Sequence, residues 1–312
     1  MNTKENKKHY VLVDGEGLLH QSFHKFENLK SSDGVPTGAI FGFFKSLRFY
    51  VHRFDPDYVQ VVFDNGHSTH RTKILQSYKE HRSRIDIDYE SLKSQKKAIF
   101  KGLKILGIPY IYDKKRECNY EGDDFLAYLI LKELPRKSKI TLVTSDKDFN
   151  QLLKGNEVKI YNPRKDMLIY ERSCSGMFGY KPDQTVDYLS LVGDASDDIP
   201  GYYGIGPAKA DKFLKKYGSI KAYLDQDECL KDDPGHSKMK EVYKRNRQLI
   251  DLKWFCKTYD PGKLPLHFKA LSEINIEALS KFADKYELGS FKDDIFIKIF
   301  NELLKRSKYG SN

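Results

Sequence analysis

Three short apolar runs in this chain each lead into an aspartate. Tyr10 to Val13 runs into Asp14, Tyr58 to Phe63 into Asp64, and Ile140 to Thr144 into Ser145 and Asp146. Helical spacing fills the intervals: Ile40, Phe43, Phe44, Leu47, Val51 and Phe54 recur at that period, and so do Leu92, Ile99, Leu103 and Leu106. Pro109 to Tyr112 reads as another strand and Asp123 to Leu134 as another helix. Strands alternating with helices predict an α/β fold, with a mainly parallel, doubly wound central sheet flanked by helices. Sites in such sheets lie beyond the carboxyl ends of the strands. Asp14, Asp64 and Asp146 all fall there, so three separated segments converge on one crevice.

After Pro182 the pattern turns helical, and a boundary is expected near residue 180. Residues 1–180 would be an α/β catalytic domain and 181–312 a helical region that contributes acids to the site. Pro182 to Val192 leads into a glycine-punctuated loop, Pro200 to Gly206, and a helix is expected from Pro207 to about Tyr217 and Gly218. Later helices are expected over His236–Asp251, Ile276–Tyr286 and Asp293–Lys305. Lys and Arg outnumber Asp and Glu, 54 against 44, for a net charge of +10. Such an excess suits a polyanionic partner and equally a plain basic enzyme. The four cysteines, Cys118, Cys174, Cys229 and Cys256, form no C-x-x-C pair, which argues against zinc and for a reducing cytosol. Met1 to His9 is polar, and no apolar run approaches about 18 residues, so neither a secretory signal nor a membrane span is expected.

Further acids join the strand ends: Glu121, Asp123 and Asp124; Asp148 beside Asp146; and Asp194 and Asp197 in GDASDD. Each group alone is ordinary, since aspartates cap helices and fill turns in most proteins. Together they repel: two unit charges at about 4 Å cost roughly 4 kcal/mol at an effective dielectric of 20. A cluster of this kind needs cations or shifted pKa values, and hard oxygen ligands favour Mg²⁺ or Mn²⁺. Two such ions about 3.5–4 Å apart clamp the attacking and leaving oxygens of a phosphodiester.

The segments LVDGEGLL, VVFDNG, SYKEHR, YEGDDFLA, TSDKDFNQLL and GDASDDIPGYYGIGPAKA occur in that order. In this they resemble the 5′ nucleases, the family of bacterial DNA polymerase I 5′-nuclease domains and phage flap endonucleases, over roughly residues 10 to 260. The resemblance implies a Mg²⁺-dependent 5′ to 3′ exonuclease and flap endonuclease that acts on 5′ ends and flaps of branched DNA, RNA–DNA hybrids included. It would leave 5′-phosphate products and work as a monomer in the cytoplasm of a bacterial cell or a phage-infected host. Carried over, Asp14, Asp64, Glu121 and Asp123 would surround one metal, and Asp146, Asp148 and Asp197 would hold the second. Asp124 and Asp194 would lie in or just behind the first set of ligands. At 312 residues, no polymerase domain is expected to follow.

Between residues 66 and 104 lies a basic stretch with Arg71, Lys73, Lys79, Arg82, Arg84, Lys93, Lys96, Lys97, Lys101 and Lys104. It reads either as a solvated helix face or as an arch that grips a single strand, with Tyr78 offering a stacking face. By resemblance, Lys79 would reach the scissile phosphate, where a fixed cation stabilises developing charge, and Arg82 the neighbouring phosphate. The loop Gly201-x-x-Gly204-x-Gly206 resembles a helix–three-turn–helix (about residues 186–218) that would hold duplex phosphates by backbone N–H groups. Related loops bind a monovalent cation, which leaves room for K⁺. Departures are Ala208 where Lys is usual, with Lys209 one place later; Asp198 where Asn is usual; and Gln21 where Arg is common.

Other signals are set aside. Gly15-x-Gly17 lacks a third Rossmann glycine, His20 standing there. His67 and His70 suit DNA contact or exposure better than a metal, and Trp254 is expected in the core. Two rivals stay open: a ribonuclease of the related PIN class, which would lack the arch and the glycine loop, and a non-catalytic branched-DNA binding module, which a missing ligand would favour.

Overall fold

A computed structural model describes residues 7–64, 68–81, 87–112, 120–226, 234–259 and 270–309. Strand β1 (His9–Asp14) lies at the centre of a six-stranded sheet. It pairs in parallel with β2 (Tyr58–Val62) on one side and β4 (Lys139–Val143) on the other. The two-residue β3 (Tyr110–Ile111) extends the sheet beyond β2; β5 (Val158–Asn162) and antiparallel β6 (Met167–Ile169) extend it beyond β4. The mainly parallel sheet expected from the sequence is therefore present, though its third strand is shorter than Pro109–Tyr112 and β5 and β6 were not anticipated.

Both faces of the sheet are covered. Val11, Val13, Val59 and Val61 enter one core; Tyr10, Leu12, Val62, Ile140 and Leu142 enter the other. This alternation follows from the period of two along a strand. The first core is closed by α1 (Gly15–Lys25), α2 (Gly38–Phe54) and α4 (Tyr89–Ile105). Phe43, Phe44 and Phe63 are fully buried there, each contributing about 1.5–3 kcal/mol by leaving water. The second core takes Phe125 and Leu126 of α5 (Gly122–Tyr128), which a π-helical turn prolongs over Leu129–Glu133.

Residues 69–74 form the short α3 (Thr69–Ile74), and Glu171–Phe178 form α6. The helical part follows: α7 (Thr185–Val192), a two-stranded ribbon of β7 (Gly193–Asp194) and β8 (Ile199–Pro200), α8 (Pro207–Tyr217), α9 (Ile220–Leu224), α10 (Pro234–Ile250) and α11 (Leu252–Tyr259). Two further helices, α12 (Ile276–Lys285) and α13 (Asp294–Tyr309), turn back: Leu279, Phe282, Phe296, Phe300 and Leu303 bury in the first core. The chain's last helices thus belong by packing to the sheet domain rather than to the helical region that a cut near residue 180 assigns them to. Trp254, expected in the core, is only half-buried and sits edge-on to Tyr259. Among the described residues no helix is long and apolar enough to cross a membrane.

Candidate active site at the strand ends

Asp14 ends β1 and at the same time caps α1, its carboxylate accepting from the Gly17 N–H at 2.8 Å. A Cβ on Gly17 would press against that carboxylate, so glycine lets the cap form without displacing it. Thr144, beyond the end of β4, donates its hydroxyl to Asp14 at 3.1 Å and accepts from the Asp146 N–H at 3.1 Å. One hydroxyl thus ties two strand-end acids together. Asp146 in turn caps the 3-10 turn Lys147–Leu152, accepting from the Asp148 N–H at 2.8 Å. From beyond β2, Asp64 accepts from the Gly122 N–H at the start of α5. Glu121 caps that helix and Asp123 lies in its first turn.

The turn after α3 enters this crevice. The Tyr78 hydroxyl donates to Glu121 at 2.9 Å and to Asp197 at 3.3 Å. The Lys79 ammonium lies 2.9 Å from Glu121 and 3.7 Å from Asp197. Both side chains are buried, so Tyr78 does not offer the stacking face expected of it; its ring packs with Leu189, Ile199, Leu249 and Ile250. Arg71 is also interior, with a bidentate bridge to Asp124 at 2.7 and 2.8 Å and its Nε donating to the Leu249 carbonyl at 3.0 Å. It is a clamp behind the acids and not an arch cation. Asp194 is paired with Lys147 at 2.9 Å and with the Ser196 hydroxyl. Asp124 and Asp194 are thus each paired with a cation of their own.

Charge is unevenly balanced among the rest. Burial, with repulsion from Glu121, pushes the Asp64 carboxyl up to about 7, and burial with repulsion from Asp197 pushes Asp146 up to about 6. Asp14, Asp123 and Asp148 are raised for the same leading reason, desolvation, and Asp148 keeps one buried oxygen without a hydrogen-bond partner. Glu121 moves the other way: against its burial, Lys79 and Arg71 hold it down to about 2. Among the described residues no three His, Cys, Asp or Glu side chains form a ready metal cage. The fit to a divalent cation is one of chemistry: oxygen donors only, mutual repulsion, and an orphaned Asp148 oxygen, all of which a hard cation would relieve.

The remaining expected residues divide. Lys93 and Lys97 are exposed on α4. Lys96 is turned inward, bonding Glu16 at 2.6 Å and the Asp64 carbonyl at 3.0 Å, so it supports the site and does not line a groove. Sequence reasoning missed Glu16, Thr144 and Lys147, each within two residues of an acid already marked. His70 packs against Tyr259 and Phe255. Arg82, Arg84 and His67 lie outside the described residues. In the glycine loop, a Cβ on Gly201 would collide with the backbone at Leu191–Gly193, whereas Gly204 and Gly206 face open space. Gly206 is the N-cap of α8, with Pro207 following. Lys209 donates to the Gly204 carbonyl at 2.8 Å.

A mainly parallel sheet whose central strands lead into acids, beside a buried tyrosine–lysine turn and an open glycine loop at a helix N-terminus, offers oxygen donors for a divalent cation next to a place for phosphate. Residues 9–179 match the N-terminal, resolvase-like domain model of 5′-3′ exonucleases, and residues 180–259 match their C-terminal SAM-fold model. The chain belongs to the 5′-3′ exonuclease family. It is 33% identical over 288 residues to a 5′-3′ exonuclease of Aquifex aeolicus, covering 89% of this chain and 96% of that protein. It is 32% identical over 289 residues to the thermostable DNA polymerase I of Thermus aquaticus, covering 92% of this chain but only 33% of that polymerase. The fold is shared with the bacteriophage T5 flap endonuclease solved as a pseudo-enzyme–product complex with DNA and metal ions (TM-score 0.65, 19% identity, 96% of this chain, 100% of that one). It is shared also with the catalytic core of Rad2 in complex with DNA substrate (TM-score 0.56, 18% identity, 94% and 93%).

Proposed function

We propose that this chain hydrolyses phosphodiester bonds at 5′ ends and 5′ flaps of branched DNA, RNA primers included, using two divalent cations, Mg²⁺ with Mn²⁺ as substitute. The observation that carries this reading is the row of acids beyond β2, β1 and β4, most of them forced toward protonation by burial and by one another. Asp14, Asp64, Glu121 and Asp123 would hold one ion, and Asp146, Asp148 and Asp197 the other. Bound there, such ions activate water and neutralise the attacked phosphodiester and its leaving oxygen. Asp124 and Asp194, already paired with Arg71 and Lys147, hold the ligand-bearing segments in place.

Within the chain, Thr144 fixes the orientation of Asp14 relative to Asp146. Lys79, whose ammonium stands among these acids, would stabilise charge gained by the scissile phosphate in the transition state. Gly204, Gly206 and the N-terminus of α8 receive duplex phosphates without reading sequence. We place this work in the cytoplasm of a bacterium or an infected host, by a monomer. The test is a 5′-flap duplex with the double variant Asp146→Asn, Asp148→Asn. Cleavage should nearly vanish while flap binding persists or tightens, because two like charges are removed from a DNA site. Near wild-type cutting would remove these acids from the chemistry.

A further inference from the structure

The turn that carries Lys79 is strained. Within it the Tyr78 N–H donates to the Leu75 carbonyl at 3.0 Å and the Glu80 N–H to the Ser77 carbonyl at 3.1 Å. Lys79 itself adopts φ +57, a left-handed conformation that costs a residue with a Cβ roughly 1–2 kcal/mol. Such strain persists only where the surroundings fix it. Two fastenings lie toward the site: the Tyr78 ring and hydroxyl already described, and the Lys79 N–H donating to the Asp197 carbonyl at 3.0 Å.

A third fastening lies on the far side of Lys79. Asp198, itself left-handed at φ +54, aims its carboxylate back over the turn. One of its oxygens accepts from the His81 backbone N–H at 2.8 Å and lies 2.7 Å from the His81 Nδ1. On the site side the Tyr78 ring packs against Ile199 of β8. On the far side a cleft of about 380 Å³ lies between Ser77, Glu80 and His81 and Asp194, Asp198 and Pro200, and there the Asp198–His81 clasp bridges the two segments. Asn at position 198 would keep an oxygen for the His81 N–H and lose the charge.

We propose that Asp198 and His81 are positioning residues: their clasp holds the Ser77–His81 turn against the Asp194–Pro200 loop and so fixes the direction of the Lys79 ammonium. This rests on the catalytic role proposed for Lys79. A group placed about 1 Å off its productive position loses up to a hundredfold in rate, and a partly loosened turn should lose about tenfold.

The experiment measures single-turnover cleavage and Kd on one 5′-flap substrate for His81→Ala, Asp198→Ala, their double variant and Asp198→Asn, in the wild-type and the Lys79→Ala backgrounds. Asp198→Ala and His81→Ala should each slow saturated cleavage about tenfold with Kd changed less than twofold. The double variant should be no slower than the slower single variant, because the two residues act as one unit. Asp198→Asn should recover most of the rate. In the Lys79→Ala background the clasp variants should slow nothing further. Amide exchange at Tyr78 to His81 should quicken about tenfold in Asp198→Ala while exchange in β1 stays the same. Normal cleavage by Asp198→Ala, additive losses, an equal loss without Lys79, or unchanged exchange would each overturn the clasp. If Lys79→Ala alone cuts normally, it is the role of Lys79 that fails; if Lys79→Ala is slow and Asp198→Ala is normal, only the clasp fails.

Discussion

Arg71→Met should be among the most destabilising single changes in this molecule. The wild-type guanidinium is 2% exposed and the Asp124 carboxylate is fully buried. It makes three hydrogen bonds, two to Asp124 and one to the Leu249 carbonyl, and its Nη1 lies 3.4 Å from Glu121. Charge centres about 4 Å apart attract by roughly 4 kcal/mol at an effective dielectric of 20. Desolvation offsets much of that attraction, but removing one partner leaves the other buried and uncompensated, a loss of about 3–5 kcal/mol. Methionine fills similar volume, so little of the effect comes from a cavity. At about 2 °C per kcal/mol, the lower end of the range for longer chains, Tm should fall by roughly 6–10 °C. Thermal unfolding followed by circular dichroism without DNA gives the number. Arg71→Met with Asp124→Leu should recover most of the loss, since an apolar pair of similar size replaces a buried ion pair at little cost. A Tm change under about 2 °C, or a double variant no more stable than the single one, would refute the clamp.

Mg²⁺ or Mn²⁺ should support cleavage of a flap substrate while Ca²⁺ permits binding with little turnover, its looser coordination placing the reacting groups poorly; full activity in EDTA would end the metal reading. Gly206→Asp should fold normally, because the N-cap has extended backbone and open space around it and Asp is a good cap, yet duplex Kd should rise and the slope of log K against log salt should flatten; unchanged binding removes the loop from the interface. Lys79→Ala should slow single-turnover cleavage by about 10²–10³ with little change in Kd, while Lys93→Ala with Lys97→Ala weakens capture and leaves saturated chemistry intact; matching modest losses in both would reduce Lys79 to a general cation. Asp187, pushed up to about 6 chiefly by burial while facing Tyr243, Arg247 and Asp251, keeps its proton in the folded state after the unfolded chain has lost it. Stability should therefore fall as pH rises from about 4 to 6, and Asp187→Asn should flatten that slope in urea melts; an identical slope in both proteins contradicts the assignment.

Sheet, helix positions and acids were legible because they are written locally. An apolar run ending in Asp, or a Pro-first and Gly-last helix such as α8, needs only neighbours in sequence. The antiparallel β5 and β6 carry a weaker local signal, since β6 is only three residues long. What escaped was the fate of the cations. Arg71, Lys79 and Lys96 stand in one basic stretch that looks solvated, yet each is drawn inward by an acid or carbonyl distant in sequence: Asp124 and Leu249 for Arg71, Glu121 for Lys79, Glu16 for Lys96. No local period encodes such partners. Tyr78 was misread for the same reason, its hydroxyl being claimed by Glu121.

The pairing of β1 with β2 and β4 gives the crevice an unusual order of failure on warming. Asp14 stands opposite Val62, and Val13 opposite Val143, so the strands that lead to the acids are held at the strand pitch of about 4.7–4.9 Å by backbone hydrogen bonds in the middle of the sheet. Fraying begins at the edges, in the two-residue β3 and the short β6, and central strands open only with the whole domain. The strand ends that carry the acid-bearing segments should therefore keep their spacing until the molecule melts outright, and amide exchange at Val11 to Val13 should track global unfolding while the edges exchange far sooner.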